Sequence, residues 1–414
     1  MLRALRSLTA TMASTRRSTR LSSSTARASP TPSSSLSPPP SPPPKKKRKT
    51  AATRAPRTPK PKPAITYSIP PVPSLTTSFH GRLGYACLNT ILRHTTPASA
   101  AVFCSRTCRI ATLNQEGIGF AKELGLKNAR DLITLIKWNE GHGIRFMRIS
   151  SDMFPFASHP VWGYSLEYAQ DVLAEAGDLA NTLAHRLTTH PGQFTQLGSN
   201  NDKVIEASVR ELCYHAEMLD RMHQGPDAVT IIHGGGTYGD KAAALERIRH
   251  SVTTRLPPNV RARLVLENDE LCYSAHDLLP LCEELDIPLV FDYHHDDINP
   301  GPLVKEGFHR LLPIAEIIAR SRAIWDRRGI RPKVHLSEPR PTARTIPERR
   351  AHADRVARLP EVLEGDGGGL GERAMFADTP SPDLMIEAKD KEQAVLQLYR
   401  TYGLGPVDEA TLRP

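Results

Sequence analysis

The first 75 residues lack any aspartate or glutamate, yet carry 15 lysines and arginines. This one-sided stretch more than accounts for the formal net charge of +10, because after Leu75 the chain holds 39 basic against 44 acidic residues. A slightly acidic body has no general affinity for nucleic acid, so contact with a polyanion must come from local patches or bound cations. No apolar stretch approaches the roughly 20 residues of a membrane span, and a soluble protein is expected. The six cysteines (Cys87, Cys104, Cys108, Cys213, Cys272, Cys282) follow no extracellular spacing, and Cys104 and Cys108 have no second pair with which to build a zinc site. Buried or free thiols of an intracellular protein are expected. No G-x-G-x-x-G follows the first strand-like segment, which weakens a dinucleotide-binding reading.

Residues 1–75 are Ser, Thr, Pro, Lys and Arg with few large apolar side chains, a composition that cannot bury enough surface to offset chain entropy. They are read as a disordered basic targeting extension. The basic cluster 45–49 reads as a nuclear address or a phosphate-binding patch, and the Arg- and Ser-rich, acid-free residues 1–28 have the profile of a mitochondrial transit peptide. A folded domain is expected over 79–402 with a short tail at 403–414, and the Gly- and Pro-rich residues 360–382 read as a surface loop.

Six short apolar runs (186–190, 228–233, 264–267, 288–292, 333–335 and 384–387) each stop at or just before a histidine, aspartate or glutamate. With three of them widened to 263–267, 332–336 and 383–387, and joined by 82–87 and 144–149, they make eight candidate strands. Helix-like stretches at 116–124, 129–140, 166–182, 204–222, 241–254, 275–285 and 311–326 alternate with them. Alternation of this kind predicts a parallel sheet covered by helices, and eight repeats fit a (β/α)8 TIM barrel; an open doubly wound sheet is the runner-up. Active sites sit at the carboxyl ends of barrel strands. The groups placed there, His190, His233, Glu267, Asp292, His295, His335 and Glu387, with His159 and His352 in nearby loops, are imidazoles and carboxylates. That donor set suits zinc, manganese or iron rather than thiolate-seeking metals. His142, His185, His215, His223 and His250 have no motif around them and are expected at the surface. His294, next to His295 on an expected strand, would face away from the cluster.

The segments GRLGYACLNT (81–90), RFMRISSDMFPFASH (145–159), THPGQF (189–194), IIHGGGTYGDK (231–241), LENDE (266–270), VFDYHHDDINP (290–300), KVHLSEPR (333–340) and MIEAKDKEQAVL (385–396) together resemble the UV damage endonuclease family, which is related to endonuclease IV. The resemblance implies a TIM barrel holding up to three divalent ions, usually manganese, with zinc and magnesium as alternatives. Its implied ligands are His190, His233, Glu267, Asp292, His295, His335, His352 and Glu387, with Glu267 bridging two ions. Glu267, Lys333, His335 and Glu387 would be catalytic, Lys333 either carboxylated or as an ordinary cation orienting phosphate. Tyr85, Asn89, His159, Gln193 and Phe194 would contact the lesion, Phe194 standing where many relatives have tyrosine. The implied partner is UV-damaged double-stranded DNA, bound by a monomer in the nucleus and also the mitochondrion. The implied reaction is a nick 5′ to cyclobutane dimers and 6-4 photoproducts, leaving a 3′-hydroxyl and a 5′-phosphate. An abasic-site endonuclease and a sugar-isomerase-like metallo-barrel are the competing readings. Gly234, Gly235 and Gly236 either admit a DNA backbone or shape a turn. Arg148, Arg340, Lys389 and Lys391 either contact phosphates or pair with neighbouring acids.

Overall fold

A computed structural model describes residues 67–303, 310–364 and 380–414. The basic cluster, the acid-free leader and most of the 360–382 segment lie outside the described residues. Eight parallel strands close in sequence order into one barrel: β1 (Leu83–Ala86), β2 (Phe146–Ile149), β3 (Arg186–Thr189), β4 (Thr230–His233), β5 (Leu264–Glu267), β6 (Leu289–Asp292), β7 (Lys333–Leu336) and β8 (Asp383–Ile386). All eight lie within the expected runs. Four-residue strands buried on both faces read as short, nearly continuous apolar stretches, which is why they were visible.

The helices around the barrel and its mouth include α1 (Ile118–Gly141), α2 (Gln170–Thr182), α3 (Asp202–Arg221), α4 (Lys241–Thr254), α5 (Ala275–Leu285), α6 (Tyr293–Ile298), α7 (Ile314–Arg327) and α8 (Glu392–Tyr402). Two expected helices, 116–124 and 129–140, merge into α1. The break between them, 125–128, ends in Asn128, whose buried amide donates to the carbonyls of Arg106 and Met153 instead of ending the helix. The segment 67–78 packs on the barrel: Ile69 and Leu75 touch the core and the Leu75 N–H donates to Thr401. The ordered body therefore begins before residue 75. Residues 403–414 are also more than a tail, since Leu412 is buried and the Gln393 side chain ties down the Thr411 carbonyl and the Arg413 N–H.

Strand alternation sorts side chains between the barrel lumen and the helix layer. The lumen has polar layers at both ends. At the base, Arg186 of β3 and Asp383 of β8 form a salt bridge of 3.0 Å with no exposed side-chain surface. Arg186 also donates to the Asp227 carbonyl and lies over the rings of Phe146 and Trp325. At the other end stands the cluster described next. No helix among the described residues is long and apolar enough to cross a membrane.

Candidate metal centre

Strand register brings the expected ligands together. His233 pairs with Glu267 across β4 and β5, and Asp292 with His335 across β6 and β7, at the last residues of β4, β5 and β6. His190 follows β3 and Glu387 follows β8. Three groups result, in each of which the ligand atoms lie within 4.8 Å of one another: His190, His233 and Glu267; Glu267, Asp292 and His295; Asp292, His335 and Glu387. Glu267 belongs to two groups and so does Asp292, which the motif reading did not single out. Glu267 Oε1 lies 2.9 Å from His335 Nδ1 and its Oε2 lies 3.2 Å from His190 Nε2.

Charge explains why these groups are poised for cations. Burial opposes ionisation of Glu267, but His335, His233 and hydrogen bonds from His190 and His335 outweigh it and hold the carboxyl well below the usual range. Burial likewise works against the charge of Glu387, which Arg148 and His335 nonetheless depress. Burial above all, against its hydrogen bond with Glu267, lowers His190 to about 4, so that it is neutral and able to donate a lone pair at neutral pH. His295 goes the other way: burial disfavours its charge, yet Asp292, Glu267, Glu270 and Glu387 raise it to about 9. The cluster thus carries more negative charge than its own cations balance. His233 Nδ1, Asp292 Oδ2 and His335 Nε2 are buried with no hydrogen-bond partner among the described residues. Unsatisfied polar atoms are costly in an interior; atoms of this kind in an oxygen- and nitrogen-rich, thiolate-free set fit a divalent metal.

Lys333 sits one layer below His335 on the lumen side of β7. It is fully buried, its Nζ 3.3 Å from Thr188 Oγ1 and over the Phe146 ring. Burial first, then Arg148 and Arg186, pulls its amine well below the ordinary lysine value. Arg148 is ion-paired with Glu387, so it orients a ligand rather than standing free for phosphate. Lys389 lies 3.7 Å from Asp354, and Arg340 is exposed in the loop after β7.

The expected ligand His352 stands beside the cluster and outside its three groups. Its Nδ1 is 2.7 Å from the Glu387 carbonyl and its ring meets His294 edge-on. His295 lies on α6, not on a strand, and that helix is capped by Asp292, whose Oδ1 accepts from the His295 N–H at 2.8 Å. His294 does face away, towards the Arg349 carbonyl at 2.9 Å, but the helical turn is what separates it from His295. Glu270, to which the motif reading gave no role, links His295 (Nε2 to Oε2, 3.8 Å) to Arg350 (2.7 Å). Asn268 is a second such residue, fully buried between Glu267 and Asp292. Polar residues inside a ligand-bearing motif were the available signal for both.

The lesion-contact residues divide. Gln193 and Phe194 stand exposed in the loop after β3, Phe194 at 81%. His159, in the loop after β2, is half-buried and its Nδ1 accepts from the N–H groups of Val161 and Trp162. Tyr85 and Asn89 are corrections: both are 0% exposed. Tyr85 falls on the outer face of β1, where its hydroxyl donates to Asn139 of α1 at 2.6 Å and accepts from Asn89 at 3.1 Å. Asn89 also caps the helical turn Thr90–Arg93. Neither presents a surface on which a base could stack. His185 and His215 are corrected as well, being buried and bonded to Glu140 and Glu211. The glycine run shapes a turn: Gly235 has φ +83°, and a Cβ on Gly234 would lie 2.5 Å from the buried Tyr273 ring.

The family model described as UV-endonuclease UvdE matches residues 81–411. The chain is 50% identical over 331 residues to the UV-damage endonuclease of Schizosaccharomyces pombe, covering 79% of this chain and 51% of that protein. It is 46% identical over 378 residues to the UV-damage endonuclease of Neurospora crassa, covering 83% and 53%. The chain thus spans about half the length of these fungal relatives. The crystal structure of SacUVDE is similar to it with a TM-score of 0.61 at 28% identity, covering 77% of this chain and 96% of that one.

Proposed function

The chain belongs to the UV-endonuclease UvdE family, and from that premise and the geometry of the mouth we propose that it is a metal-dependent DNA repair endonuclease. In this reading it nicks the phosphodiester immediately 5′ to cyclobutane pyrimidine dimers and 6-4 photoproducts, leaving a 3′-hydroxyl and a 5′-phosphate. The observation that carries it is the chain of three ligand groups linked by Glu267 and Asp292. Up to three divalent ions, manganese by preference and zinc or magnesium as alternatives, would be held there, supplying Lewis-acid charge against the developing oxyanion and acidifying water.

The protein's own residues do the rest. His190, His233 and His335 present imidazole nitrogens, Glu267 turns one oxygen to His190 and the other to His335, Asp292 offers Oδ2 to both of its groups, and Arg148 keeps Glu387 ionised and aimed. Lys333 adds its amine from beneath. Gln193 and Phe194, exposed beside the mouth, would enter a duplex whose damaged nucleotides have left the stack, since enzymes acting on buried nucleotides extrude them and fill the gap with side chains. A nuclear address at 45–49, with a mitochondrial one upstream, and a monomeric state belong to the same proposal.

The test is a duplex carrying one dimer, one abasic site or no lesion, incubated with purified protein and manganese. The expected result is one nick 5′ to the dimer, abolished by chelation and by Glu267→Gln, while that variant still binds the lesion. Equal cutting of undamaged duplex, or cutting that survives chelation, overturns the proposal; preference for the abasic site turns it into the abasic-endonuclease reading.

A further inference from the structure

The β5–β6 ladder ends with Glu267 opposite Val290, and beyond it the side-chain amide of Asn268 takes the place of a backbone rung. Its Oδ1 accepts from the Asp292 N–H at 2.8 Å and its Nδ2 donates to the Asp292 carbonyl at 3.0 Å. Its own carbonyl lies 2.9 Å from His295 Nδ1. One fully buried residue, directly following the shared ligand Glu267, is therefore bonded to both other members of the middle ligand group. Only a primary amide offers a donor and an acceptor side by side to one residue's peptide groups. A purely structural asparagine would need no such relation to two ligands.

We propose that Asn268 is a positioning residue for the Glu267, Asp292 and His295 group, acting on metal binding and touching neither ion nor DNA. It fixes the main chain of Asp292, whose Oδ1 is committed to the His295 N–H, so that Oδ2 is the oxygen left for the cluster. It also holds the His295 ring, whose Nδ1 lies 2.9 Å from the Asn268 carbonyl and 3.6 and 3.7 Å from Glu267 Oε1 and Asp292 Oδ2. The same residue thus sets the oxygen that Asp292 offers and the orientation of the His295 ring. Loss of such outer hydrogen bonds weakens metal affinity by about 10- to 100-fold. This inference rests on the metal reading of the site, and its test separates the two.

The full chain, stripped with chelator, is titrated with manganese by calorimetry and equilibrium dialysis, alongside Asn268→Ala, His295→Ala and the double variant. Asn268→Ala is expected to weaken one class of manganese site by about 10- to 100-fold and to leave the rest unchanged. It should add little to His295→Ala, because both act on one group. Melting in chelator establishes that each variant is folded, and Asn268→Ser repeats the titration if Asn268→Ala is not. A folded Asn268 variant with unchanged manganese affinity overturns the inference alone, as does failure of both Asn268 variants to fold, which would make the residue structural. A wild-type chain that takes up no manganese overturns the metal reading and the inference with it.

Discussion

Tyr85 and Phe194 are both aromatic and both sit in family-like motifs, yet their surroundings assign them different work. Tyr85 is hydrogen-bonded in the helix layer, so Tyr85→Phe leaves Asn139 and Asn89 each short of a partner. The expected cost is about 1–3 kcal/mol of stability, read by urea unfolding, with the ratio of damaged to intact duplex binding unchanged. Phe194 makes the reverse prediction. Removing a ring that is 81% exposed has little effect on the fold, so Phe194→Ala should keep its unfolding midpoint and lose discrimination between dimer-containing and intact duplex. A stable variant with wild-type discrimination would remove Phe194 from the recognition surface.

At the scale of elements, α6 shows how one residue serves structure and chemistry together. Asp292 ends β6, caps α6 and supplies an oxygen to two ligand groups. Asparagine caps a helix as well as aspartate does but brings no charge. Asp292→Asn is therefore expected to melt in chelator within about 2 °C of wild type, a small shift on the scale of a lost cap, and to bind manganese far more weakly by dialysis. A second link joins Glu140 of α1 to Arg145 ahead of β2 and His185 ahead of β3. Hydrogen bonding from Arg145 lowers Glu140 to about 2, and burial lowers His185. Both folded-state values lie below the unfolded ones, so the unfolded chain binds the extra protons and acid favours it. The His185 contribution is complete above its ordinary value of about 6.5 and falls away below it; the Glu140 contribution is lost from about 4.3 down to 2. The drop in urea midpoint from pH 7.5 to pH 5 should shrink in His185→Gln, and an identical drop would exclude His185 as the cause.

These elements also show what could be read before folding. The strands were legible because burial on both faces writes an apolar run and the ligand at its end marks the mouth. The helix α6 was not, because YHHDDI has no apolar period and owes its turn to a cap. The phase of β1 was not legible either. In four residues, alternation leaves open which of Tyr85 and Ala86 faces the lumen, and only packing against Asn139 and α8 decides it.

For the whole molecule, the barrel separates a base that holds the fold from a mouth that holds the chemistry. Arg186 and Asp383 pair at the base, where Arg82 and Arg331 also approach Asp383 at 3.7 and 3.8 Å. Asp383→Ala strands a buried guanidinium, and breaking a buried pair in this way costs about 3–5 kcal/mol. Chemical denaturation should register that loss, whereas the manganese affinity of the molecules still folded should match wild type. Altered affinity would mean that base and mouth are coupled through Lys333.

The closed base has a further consequence for the liquid inside. Arg186 and Asp383 fill the base and the Lys333 and His335 side chains above it are fully buried, so in the proposed function a duplex seated across the mouth would act as a stopper on a vessel with a solid bottom. The water of the proposed cut would then be drawn from the few molecules enclosed at docking, and the fixed charges around it would act through a medium far less screening than the bulk.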